Sequence, residues 1–246
     1  MNGQWKTAAL GAIGGAALAV AIVFAAASYG YLPGASGTQI HDYLLAHPQI
    51  LAEANDRLQA QQEADDESAR QKAVDEMGQG AFFNPKVAFV TGPAGARKTF
   101  VEFFDYNCPF CRASIPAVKK FYEANKGKAR FAFIEFPIKG PQSTVAAKAA
   151  LAARNQPDKY LPFHFALMNE EGMVDENLVF ADAAKVGLDV AKLKADMADP
   201  AIQSSVEASL ALAKKAKVDG TPAFIVNGHV REGAVDDDLL RELSKG

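Results

Sequence analysis

The chain has 246 residues, 49% hydrophobic and 22% charged, so it is globular and long enough for one sizeable core plus an appendage. A net charge of −3 supplies no general attraction to nucleic acid, and no glycine-rich phosphate loop or basic-aromatic pattern replaces one. Two cysteines cannot staple a disulfide scaffold and therefore matter through their reactivity.

After Lys6 no charged side chain, histidine aside, occurs before Asp42. Within that gap, residues 10–27 are nearly all apolar or glycine, and Ala25-Ala26-Ala27 meets the small-residue rule for signal cleavage. The apolar stretch runs on to Leu32, beyond the ~7–15 residues of an ordinary signal core and long enough to cross a ~30 Å hydrocarbon layer. Residues 1–35 thus read as a signal peptide or an uncleaved signal anchor, and either exports the rest of the chain. The two cysteines then work in an oxidising compartment.

Residues 33–38 form a flexible joint. From 39 to about 75 the pattern is helical, with an apolar stripe at Ile40, Tyr43, Leu44, Ile50, Leu51, Ala54 and Leu58 and a break at Pro48. Beyond Leu58 the stripe thins to alanines, and no sustained heptad supports a long coiled coil. Residues 36–80 therefore read as a helical stalk. It is either a solvated spacer or, because such a stripe wants a partner, a homo-oligomerisation segment through residues 38–77.

Residues 81–246 read as the main domain. Strands are expected at 87–91 and 98–106 around a turn at 92–95, with another at 129–137. The apolar run of the second strand stops at Asn107, and Cys108 opens a helix reaching about Asn125. Both cysteines lie here, as Cys108-Pro-Phe-Cys111. Cys108 then sits at a helix N-terminus, where unpaired N–H groups and the positive end of the dipole favour a thiolate. Pro109 suits the first turn, and Cys111 lies one turn on, behind Cys108 and less exposed. Residues 141–217 are helical almost throughout, with breaks near 155–157, 171–172, 187 and 200. A hairpin through Gly228 joins 223–227 to 230–231, and a helix at 236–245 closes the chain.

The segments Phe-Phe-Asp-Tyr-Asn-Cys-Pro-Phe-Cys (103–111) and Val-Asp-Gly-Thr-Pro-Ala-Phe-Ile-Val-Asn-Gly (218–228) resemble those of DsbA-like and ScsC-like thiol–disulfide oxidoreductases, members of the thioredoxin superfamily from the bacterial cell envelope. The resemblance covers roughly residues 85–246. It implies an α/β thioredoxin fold carrying a helical insertion, here preceded by the signal segment and stalk. It also implies a cis bond between Thr221 and Pro222, which line the substrate groove together with Pro109 and Phe110. Threonine before that proline is what isomerase-like members tend to carry. Some isomerases resembling this chain oligomerise through a helical N-terminal segment.

Cys108 is the expected nucleophile and Cys111 the resolving thiol. Phe110, unlike a histidine, adds neither donor nor charge, so the Cys108 pKa is expected to be depressed but not extreme. Glu102 occupies the position of the family's buried acid, where it would shuttle the Cys111 proton with a pKa raised by desolvation. The histidines at 41, 47, 164 and 229 show no metal-ligand spacing and read as ordinary surface or core residues, and Phe163 and Phe165 as core of the helical cap. The function expected is disulfide formation or isomerisation in cysteine-containing envelope proteins, without a cofactor, reset by a membrane redox partner. The location is the periplasmic side, anchored in the inner membrane or secreted. The alternatives are a reductase for particular thiols, or a copper(I) module using the two sulfurs; zinc would want further ligands.

Overall fold

The computed structural model describes residues 37–245, and the candidate signal segment lies outside them. Among the described residues no helix is long and apolar enough to cross a membrane. The chain divides into two units after Gln62.

In the first unit, helix α1 spans Gly37–Ala46, and the first part of α2, which runs Gln49–Met77, follows Pro48. Proline has no N–H to continue the ladder and disfavours helical backbone at the residue before it, so the break falls there. Ile40, Tyr43, Leu45, Leu51 and Leu58 are all half or more exposed. A Glu53–Arg57 ion pair at 2.6 Å, one turn apart, ties the polar side of α2.

The second unit is built on a five-stranded sheet ordered β1-β3-β2-β4-β5, where β1 is Phe89–Thr91, β2 Lys98–Phe104, β3 Ala129–Glu135, β4 Ala223–Val226 and β5 His229–Glu232. Strands β2 and β3 are parallel, and the other pairings are antiparallel. Central β2 and β4 are buried runs rather than alternating ones, because both faces are covered. Phe100, Phe104, Phe131, Phe133 and Phe224 point to one face, under helix α3 (Pro109–Asn125) and the inserted helices. The insertion comprises α4 (Pro141–Ala153), α5 (Pro157–Met168), α6 (Glu176–Lys185), α7 (Val190–Met197) and α8 (Pro200–Lys215), and α9 (Asp237–Leu243) closes the chain. Asn227 and Gly228 both have positive φ, as the tight β4–β5 hairpin requires.

The opposite face packs Val101, Phe103, Ile134 and Ile225 against Val74, Phe82 and Phe83. The sequence pattern ends the stalk at residue 80, whereas the last turns of α2 already belong to the main unit. Gln71 is the reason in polar contacts: its amide accepts from Val230 N–H at 3.0 Å and donates to the Gly228 carbonyl at 2.9 Å, pairing with edge strand β5 as a neighbouring strand would. Arg70 pairs with Glu232 at 3.4 Å.

Candidate active site

Strand β2 ends at Phe104 and α3 begins at Pro109, with Cys108 as its N-cap residue in extended backbone. Pro109 holds the first helical position, where a missing N–H costs nothing. Asp105 shapes the turn between them. Its carbonyl accepts the Cys108 N–H at 3.0 Å. Its buried carboxylate accepts from Asn107 N–H and the Ser143 hydroxyl, at 2.8 and 2.7 Å, and from the N–H groups of Ile138 and Lys139, both at 2.8 Å. Asn107 in turn accepts the Val174 N–H at 2.7 Å, and Arg112 donates to the Tyr106 carbonyl at 2.9 Å. The turn before the nucleophile is thus bolted to the loop after β3 and to the insertion.

Both sulfurs are reduced, and both are fully buried. Cys111 is the more deeply enclosed of the two, and the Thr221 carbonyl lies on the Cys108 sulfur and accepts its thiol proton at 3.1 Å. The Thr221–Pro222 bond is cis, as the resemblance implies. The Cys108 pKa is lowered to about 5. A hydrogen bond from the Cys111 thiol is the largest influence, burial opposes it, and the Thr221 side chain and the N–H groups of Cys111 and Phe110 lower it further. The Thr221 hydroxyl has no hydrogen-bond partner while the Cys108 thiol is protonated and is a spare donor for the thiolate. Burial, first, and then the bond to Cys108 push the Cys111 thiol far up. Opposite shifts on adjacent sulfurs make one a nucleophile and keep the other a proton donor until exchange is under way.

Glu102 lies on the inner face of β2, fully buried, with neither oxygen hydrogen-bonded. Burial raises its carboxyl to about 8, and its charge also acts on Cys111. Cys108, Pro109, Phe110, Cys111, Thr221 and Pro222 converge at one spot, with Glu102 beneath. Phe110, Ile138 and Met173 are the exposed large apolar side chains among the described residues of this unit. All three stand on segments tied to the active-site turn. A cleft of about 990 Å³, lined by Tyr122, Phe165 and Lys185 among others, includes none of these residues. Among the described residues no group of three or more histidine, cysteine or acidic side chains is placed to hold a metal, so the copper(I) alternative rests on the two sulfurs alone.

Sequence reasoning missed Asp105 and a buried cluster around Glu135. The available signals were an aspartate two residues before Asn107, as in a side-chain-closed turn, and a lone carboxyl in the apolar run Phe-Ile-Glu-Phe (133–136). His164, which read as ordinary, is fully buried and bonded to Tyr106. Asp105→Ala strands four donors that the carboxylate now satisfies, and is expected to cost about 2–4 kcal/mol in denaturant unfolding. A loss below about 0.5 kcal/mol would show that the turn holds without it.

A family profile described as Thioredoxin matches residues 84–245, and one described as Copper resistance protein ScsC N-terminal domain matches residues 37–65. A thioredoxin-like oxidoreductase of Silicibacter pomeroyi DSS-3 superimposes with TM-score 0.63 at 39% identity, covering 68% of this chain and 96% of that one. Disulfide bond formation protein D of Bacillus subtilis is 29% identical over 164 residues, covering 62% of this chain and 73% of that protein. The Na(+)/H(+) antiporter NhaA of Herminiimonas arsenicoxydans is 29% identical over 153 residues, 62% of this chain but only 24% of the antiporter, so the chain spans about a quarter of that relative's length. The fold, the cysteine pair beside a cis-proline and the profile over most of the chain agree: the chain belongs to the thioredoxin family, with the DsbA-like and ScsC-like thiol–disulfide oxidoreductases.

Proposed function

We propose that the chain is an exported thiol–disulfide oxidoreductase that rearranges or forms disulfides in cysteine-containing proteins of the bacterial envelope. The observation that carries this reading is the split of the two thiols, Cys108 lowered to about 5 and Cys111 raised, beside Thr221–Pro222. In isomerisation the Cys108 thiolate attacks one sulfur of a wrong substrate disulfide, and the other substrate sulfur leaves as a thiolate. A substrate thiolate then attacks the mixed disulfide, and Cys108 departs with the electron pair it brought. When rearrangement stalls, Cys111 gives its proton to Glu102, attacks Cys108 and releases the reduced substrate. The resulting Cys108–Cys111 disulfide is reset by a membrane redox partner. Phe110 and the Thr221–Pro222 edge receive the extended substrate segment. No cofactor takes part. Export and attachment to the inner membrane rest on residues 1–35, and assembly of several copies on residues 38–77.

Recovery of activity by a scrambled-disulfide substrate, with the reduction potential against glutathione, tests the reading. Rearrangement without net oxidation supports an isomerase. A strongly reducing pair that only opens disulfides would replace it with a reductase, and no reaction at all would remove it.

Glu102→Gln is expected to slow resolution of the mixed disulfide and to flatten its pH dependence between about pH 5 and 8. An unchanged profile would leave Glu102 outside the chemistry. Stability gives a second reading with a defined sign. A carboxyl whose folded pKa is raised favours the fold fully below the unfolded value of 4.5, and this is lost as pH rises through about 8. Wild type should therefore lose roughly 3–5 kcal/mol across that window relative to Glu102→Gln, measured as the difference in unfolding free energy at each pH.

A further inference from the structure

Beside Glu102 lies a buried polar cluster that the exchange steps leave unused. Glu135 ends β3, and its Oε1 accepts from the hydroxyls of Tyr106 and Tyr160, each at 3.3 Å. The Tyr106 hydroxyl also meets His164 Nδ1 at 3.1 Å. All four side chains are buried, and Glu135 Oε2 and His164 Nε2 have no partner. Strand register places Glu102 opposite Phe133 and Glu135 opposite Phe104, so the two carboxyls share one face, one strand and two residues apart. Ladder dimensions put their Cα atoms roughly 8 Å from each other. Both carboxyls act on the same phenols, because the charges of Glu102 and Glu135 each raise Tyr106 and Tyr160.

We propose that Glu135 is a positioning residue of the dithiol: it shares with Glu102 a buried layer that carries one negative charge at a time, and thereby sets the pH at which Glu102 can take the Cys111 proton. This rests on the role given to Glu102 above. Two carboxylates in a low-dielectric layer are not both ionised over the working range. Burial raises both carboxyls, Glu135 well above the ordinary carboxylate range. Against it, Glu135 alone has two hydroxyl donors and the attraction of half-buried Arg154 at the C-terminal end of α4, and these favour the charge there over Glu102. Glu102 has no donor on either oxygen and stays protonated longer.

Other titrating groups face this layer from the elements packed around it. Asp105 on the active-site turn adds a repelling charge, already engaged by its four donors. His164 on α5 is neutral, its pKa pushed down to about 3 by burial. From α3 the nearer titrating neighbour of Glu102 is Cys111. When Glu102 does ionise, it accepts the Cys111 proton, the Cys111 sulfur bonds to Cys108, and the substrate sulfur leaves with its electron pair.

The test is a carboxyl carbon-13 titration of Glu102 in the reduced full-length protein, assigned by the signal lost in Glu102→Gln. Glu135→Gln keeps an oxygen acceptor for both phenols and removes only the charge. It is expected to lower the Glu102 midpoint by about one pH unit and to move the pH profile of mixed-disulfide resolution down by the same amount. Tyr160→Phe, which removes one donor from Glu135, should move both in the same direction by less. It also serves if Glu135→Gln does not fold. A Glu102 midpoint unmoved in a folded variant, or a resolution rate scaled equally at every pH, overturns the proposal. The midpoint is read without substrate, so an absence of isomerase activity would count against the proposed function and not against this coupling.

Discussion

Cys108→Ser is expected to abolish thiol–disulfide exchange, whereas Cys111→Ala should leave attack running and accumulate substrate on Cys108 as a mixed disulfide. With a pKa of about 5, Cys108 is almost wholly thiolate at pH 7, against a few per cent for a thiol near ~8.5. A serine hydroxyl does not ionise there, so exchange should fall by several orders of magnitude. Absorbance at 240 nm in the reduced protein should reveal one thiolate with a midpoint near 5, Cys111 staying protonated through neutrality. Because the Cys111 thiol is the largest influence lowering Cys108, Cys111→Ala should also shift that midpoint upward. A wild-type midpoint at or above ~8.5 would remove the mechanism. The stability consequence has a fixed sign. A thiol whose folded pKa is depressed stabilises the fold above its unfolded pKa, and this is lost as pH falls through about 5. The disulfide form has no thiolate, so the melting advantage of reduced over oxidised protein should shrink as pH drops from neutral towards 4.

Aspartates at Ile40, Leu51 and Leu58 are expected to turn the proposed oligomer into a monomer and to remove most of the proposed isomerase activity, while the dithiol keeps its potential. These side chains are 50%, 54% and 53% exposed. Exposed leucine and isoleucine at helical spacing gain from burial roughly 1.5–3 kcal/mol each, and three charges remove that gain. Assembly would hold several Cys108 sites near one substrate, which raises effective concentration through a shared frame. Light scattering at tens of micromolar, beside the scrambled-substrate assay, decides it. A wild-type monomer would make the stalk a spacer. An active monomeric variant would separate isomerisation from assembly. A shortened chain should begin near residue 63 rather than at residue 81, where the sequence pattern starts the main domain, because Gln71 and Val74 are built into the main unit.

Much of this protein was legible in its sequence because the deciding physics is local. A buried strand, a turn, and a proline after Cys108 specify a helix N-terminus within a dozen residues, whatever packs around it. The breaks of the inserted helices were readable for the same reason, as proline and glycine act on their own backbone, whereas the Thr221–Pro222 edge came from the resemblance. The resemblance carried by the two motifs supplied the pairing of segments far apart in the chain. Tertiary structure alone decided what depends on contacts between such segments. It closed Thr221 over Cys108, and it made the Cys111 thiol, more than the helix terminus, the chief influence on the nucleophile. Packing also brought Asp105 to the loop at 138–139, and gathered Glu135, Tyr106, Tyr160 and His164 from three segments into one layer. A lone carboxyl in an apolar strand announces that some partner exists. Which side chain that is, and whether the charge survives burial, is settled only when the insertion folds back over the sheet.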